Sequence, residues 1–79
     1  MDPTEALRLF VDAMDSADQA YAEARKAEDK GDFSDAADAY ARADDFRAAA
    51  ADHADDLIGW LAKGGCPPDW AEYKDRSVA

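Results

Sequence analysis

Apolar residues recur at alternating steps of three and four through the first part of the chain, at Leu7, Phe10, Met14, Ala17, Tyr21 and Ala24, with Val11 beside them. That spacing keeps one face of an α-helix apolar. Asp2-Pro3-Thr4-Glu5 suits its start: Asp2 can cap, Pro3 fits the first helical position, and Glu5 stands where a capping box needs its acid. Neither Gly nor Pro follows until Lys30-Gly31, a natural terminator. The pattern predicts helix 1 over about residues 3–30, roughly 40 Å long. A second stripe reads Ala36, Tyr40, Ala43, Arg47, Ala50, Ala54, Leu57 and Leu61, flanked by Phe46, Ile58 and Trp60. It predicts helix 2 over about 34–62, with residues 31–34 as the turn, Asp32 or Ser34 as its cap and Phe33 packed across the junction. Arg47 breaks the stripe and is expected to snorkel or pair with an acid.

A turn this short makes long amphipathic helices antiparallel neighbours. The expected fold is all-α, an antiparallel hairpin of two long helices with a short C-terminal helical segment, one domain over residues 1–79. Pairing the stripes sorts the core by size. Near the turn they offer mostly alanine; at the open end Leu7, Phe10 and Met14 face Leu57, Ile58, Trp60 and Leu61. The tail over 64–79 begins with an extended step at Cys66-Pro67-Pro68. A helical turn or two is expected from Asp69 to Arg76, with Trp70 and Tyr73 three apart. They are expected to fold back near Trp60; the alternative is that they face a partner.

Composition makes that core thin. Twenty of the 79 residues are alanine, and only four are leucine. Alanine favours helix but buries little area per residue. A chain of this size gains from self-association, so a homodimer forming a helical bundle is expected, hiding Val11, Phe46 and Trp60.

Charge narrows the partners. Nineteen acids oppose nine bases, a formal net charge of -10. Long-range repulsion opposes direct binding to nucleic acid or an anionic membrane, while a basic protein would be attracted. Asp12, Asp15 and Asp18 follow one another at three-residue steps on helix 1, and Asp38, Asp45, Asp52 and Asp56 lie along helix 2. Such runs cost helix stability, which gives an acidic face for a basic partner as one reading and a solvated face as the other.

Candidate chemistry is sparse. His53 is the only histidine, and the residue three before it is Ala50, where a bundle metal site would place a glutamate. Cys66 has no second thiol and no histidine at readable spacing to activate it. No Ser/His/Asp set, P-loop or dinucleotide glycine pattern occurs. The expectation is a non-enzymatic protein with no cofactor and no metal. MDPTEALRLF has no basic-then-apolar signal segment, and a cytoplasmic location is expected.

The stretch Lys30-Gly31-Asp32-Phe33-Ser34-Asp35-Ala36-Ala37-Asp38-Ala39-Tyr40-Ala41-Arg42-Ala43 resembles the turn and second helix of a tetratricopeptide repeat, through Gly31, Phe33, Ala36, Tyr40 and Ala43. Ala24 fills the small-residue position of the first helix. The chain holds one such unit, and its helices are twice the family's length. The resemblance therefore implies the turn geometry, not a peptide-binding groove. The segment from Trp60 to Trp70 resembles endings of small actinobacterial plasmid and phage proteins, which implies an accessory role in a mobile element.

Together these features point to a small acidic interaction or adaptor protein. Its contact residues are expected among Asp12, Asp15, Asp18, Val11, Phe46, Trp60, Trp70 and Tyr73. The alternative is an acidic inhibitor that mimics nucleic acid and occupies a basic surface on a DNA- or RNA-binding target.

Overall fold

Both helices form where the apolar periodicity places them, and local hydrogen bonds fix their ends. A computed structural model describes residues 2–71. Helix α1 spans Pro3–Asp29 and α2 spans Phe33–Ala62. Asp2 Oδ1 accepts from the Thr4 N–H at 3.0 Å and from the Glu5 N–H at 3.3 Å. Glu5 turns its carboxylate onto Arg8, whereas the capping box would have sent it back to the cap. At the other end Gly31 has φ +78°, a left-handed conformation that glycine adopts without steric cost. It lets the Gly31 N–H reach the Glu28 carbonyl and the Asp32 N–H reach the Ala27 carbonyl, both at 2.9 Å. These are the two bonds of a Schellman cap. Asp32 then caps α2 by accepting from the Asp35 N–H at 3.1 Å.

Capping by Asp32 makes Phe33 the first helical residue and leaves it 71% exposed. It does not pack across the junction. The last turn of α1 reads Lys26-Ala27-Glu28-Asp29-Lys30 and offers no large apolar side chain to receive it.

The paired helices make a rod of 50 × 23 × 13 Å, one layer thick. Each helix has a single neighbour, so only a narrow line of each is covered. Among the described residues, nine of the twelve buried hydrophobic positions are alanine, the others being Leu7, Val11 and Leu57. Ala17, Ala24 and Ala43 are fully covered. The seam is turned slightly from the expected stripes. Ala13, Ala20 and Ala39 lie inside it, while Phe10, Met14, Tyr21, Tyr40, Ala54 and Leu61 straddle its rims half-buried. Small side chains take the contact line because they let two backbones approach closely; larger ones are then displaced to either side.

At the open end the seam widens into a cluster of Ala6, Leu7, Val11 and Leu57, against which Phe10, Trp60 and Leu61 pack. The Gly64 N–H bonds the Leu61 carbonyl and the Gly65 N–H bonds the Trp60 carbonyl, both at 3.0 Å, a second Schellman cap. The chain then doubles back. The Trp60 indole N–H donates to the Cys66 carbonyl at 2.8 Å. The Asp69 N–H donates to Thr4 Oγ1 at 2.9 Å, and Pro68 is buried. Tyr73 and most of the segment expected to be helical, Asp69 to Arg76, lie outside the described residues.

Candidate functional site

The hairpin has two broad sides. On one, Arg47 exploits the place where it interrupts the stripe: exposed itself, it donates from Nη1 to the Tyr21 hydroxyl on α1 at 3.2 Å. That hydroxyl donates to Asp44 Oδ1 at a long 3.5 Å, and the Tyr21 and Tyr40 rings meet at 6.0 Å with a 59° tilt. The hydrogen bond that Arg47 donates to Tyr21 holds the Arg47 pKa above its usual value. The Glu28 carboxylate, beside the Tyr40 hydroxyl, likewise raises that of Tyr40. These contacts tie the helices together across their rims.

The other side carries shallow grooves along its length. Near the turn one of about 670 Å³ is lined by four acids, Glu23, Asp32, Asp35 and Asp38, and three bases, Lys26, Lys30 and Arg42. Its acids and bases interleave, and Arg42 pairs with Glu23 at 3.0 Å. A smaller hollow beside Phe46 continues it, sharing Glu23 and Arg42. At the open end a groove of about 610 Å³ has Ala6, Leu9, Gly59 and Trp60 among its lining, with Asp2, Glu5, Asp55 and Asp56 around them and, among the described residues, Lys63 and His53 as the basic side chains. One heptad repeat relates these hollows: Leu9, Ser16 and Glu23 follow one another on α1, as do Phe46, His53 and Trp60 on α2. They therefore share a side.

The candidate residues divide accordingly. Phe46 is 39% exposed on the grooved side, and Leu9, at 40%, was not among the expected contacts. Leu9 falls outside the three-and-four stripe of helix 1, which hid it; its signal is the heptad step to Ser16 and Glu23. Val11 corrects the expectation of a free flank, being 5% exposed inside the core cluster. Its heptad equivalents Asp18 and Arg25 are exposed, and Val11 lies one heptad beyond Thr4, where the tail is tied. Trp60 is half-buried and bonded to the tail, so only part of its ring borders the groove. Trp70 remains exposed even though the tail folds back.

Asp12, Asp15 and Asp18 are all exposed. At about 100° per residue they lie in neighbouring steps of about 60°, so Asp12 and Asp18 point roughly 120° apart across the exposed face of α1. Asp38, Asp45 and Asp52 are spaced by heptads and form the straight acidic row, on α2. Among the described residues no group of three His, Cys, Asp or Glu side chains is placed to hold a metal ion, and no helix is long and apolar enough to cross a membrane. No family model, no curated protein and no solved structure matches the chain.

Proposed function

We propose that this chain is a non-enzymatic interaction protein that docks on another protein through the grooved side of the helix pair. One observation carries the reading. Alanine already closes the seam, yet α1 and α2 hold Leu9 and Phe46 out on that side, along a line of grooves. Apolar side chains that the fold itself does not need are available for association. Pairing with a second copy is the other reading, supported by a core in which, among the described residues, no large side chain is fully buried. Mimicry of nucleic acid draws support from the net charge of -10.

Light scattering on the purified chain, with and without Phe46→Glu and Leu9→Glu, separates the first two readings. A monomer that captures a partner protein from its host and loses it on either substitution fits docking. A dimer that either substitution dissociates fits self-pairing. Capture unchanged by both substitutions contradicts the grooved side as the interface.

A further inference from the structure

The open-end groove differs from the turn-end groove in its balance of charge, and that difference identifies an occupant. Near the turn Lys26, Lys30 and Arg42 sit among the acids. At the open end, among the described residues, Lys63 and His53 stand against four carboxylates, and only Lys63 carries a fixed positive charge. Among the described residues Asp55 and Asp56 make no ion pair, whereas Asp2 is engaged in capping and Glu5 holds Arg8. Leu9, Ala6, Gly59 and part of the Trp60 ring supply apolar surface between these acids, and no atom lies within 4 Å of where a Gly59 Cβ would project. A groove with an apolar floor and an acidic rim complements a helix with apolar residues on one face and Lys or Arg beside them.

We propose that the open-end groove binds a Lys/Arg-rich amphipathic helix of another protein. This rests on the grooved side being the docking surface and adds the chemistry of what docks. A second copy of the chain is a poor occupant, since each copy carries a net charge of -10 and brings more acids to an acidic rim. Apolar contact fixes where the helix lies, and the rim supplies rate and selectivity.

Two synthetic probes test this in the intact chain: an amphipathic helix of Lys and Leu about 18 residues long, and the same composition scrambled so that no apolar face forms. Calorimetry and amide NMR titrations should show the patterned peptide binding at least about tenfold more tightly than the scrambled one, and weakening as salt is raised. Shifts should centre on Leu9, Gly59 and Trp60. Leu9→Glu is the decisive variant, because it adds acid while removing floor. It should weaken binding several-fold, where attraction by net charge alone would strengthen it. Asp55→Asn with Asp56→Asn should also weaken it, more than the same change at Asp15 and Asp29 on the outer line of α1.

Equal affinity for both peptides, shifts centred elsewhere, or tighter binding by Leu9→Glu would overturn the proposal. So would no binding of either peptide. If either probe fails in this way while host capture still depends on Leu9 and Phe46, docking through the grooved side stands and the basic helix is withdrawn.

Discussion

The two halves of the hairpin are held together by different means. From Ala17 to Ala43 the seam is alanine on both helices, and its larger neighbours form a polar rim through Tyr21, Tyr40, Arg42 and Arg47. Exposed ion pairs such as Arg42 with Glu23 contribute at most about 1 kcal/mol, so this half relies on helix propensity and close approach. The open half buries Leu7, Val11 and Leu57 and adds Phe10, Trp60, Leu61 and a folded-back tail. There the stabilisation comes from apolar area. Close contact and bulk are thus alternative solutions in one helix pair, and each makes its half sensitive to the opposite kind of substitution.

The largest effect is expected where bulk is removed. Leu57→Ala should destabilise the chain by about 2–4 kcal/mol, a large share of the total for a domain this size. Urea unfolding would read it, and a loss below about 1 kcal/mol would mean the open-end cluster does not hold the hairpin. Gly65→Ala comes next. A Cβ there would overlap the Trp60 ring, which has no flexible end to move aside. An overpacking cost of about 1–3 kcal/mol is expected, together with a change in Trp60 fluorescence. Gly59→Ala should act in the opposite direction. With nothing within 4 Å of the new methyl, it should stabilise α2 by about 0.5–1 kcal/mol.

The smallest effect lies at the turn. The Asp32 carboxylate, by hydrogen bond and by charge, raises the Asp35 pKa above the usual 3.8. The folded state therefore holds that proton more tightly. Its stabilisation is fully present below the unfolded pKa and is lost as pH rises through the folded one. Asp35→Asn should raise the melting temperature slightly at pH 7 relative to wild type, and the gain should vanish near pH 3. A gain that persists in acid would place its origin elsewhere.

Much of this architecture was legible in the residues. Three-and-four spacing, the Asp2-Pro3 start and the Lys30-Gly31 stop located both helices, and the sorting of Ala from Leu foretold the tight and bulky ends, although Ile58, expected at the bulky end, is 63% exposed outside the cluster. Rotation about each helix axis was less legible. Periodicity marks an apolar face but does not say whether Tyr21 or Ala20 occupies its centre, and close approach selects alanine. Val11 was misplaced because its burial comes from a cluster with Leu57, a contact between residues far apart in sequence. Leu9 was missed because it lies outside the core stripe, and its heptad step leads only to the polar Ser16 and Glu23. Phe33 was assigned a partner although the end of helix 1 has no side chain to supply one.

The most direct test of the close alanine seam is the thermal unfolding of Ala43→Leu. If the core were merely short of apolar bulk, the added side chain would stabilise the hairpin. The close seam predicts the reverse, a loss of about 1–3 kcal/mol as the helices are forced apart around a position with no exposed surface. A melting temperature equal to or above wild type would contradict it.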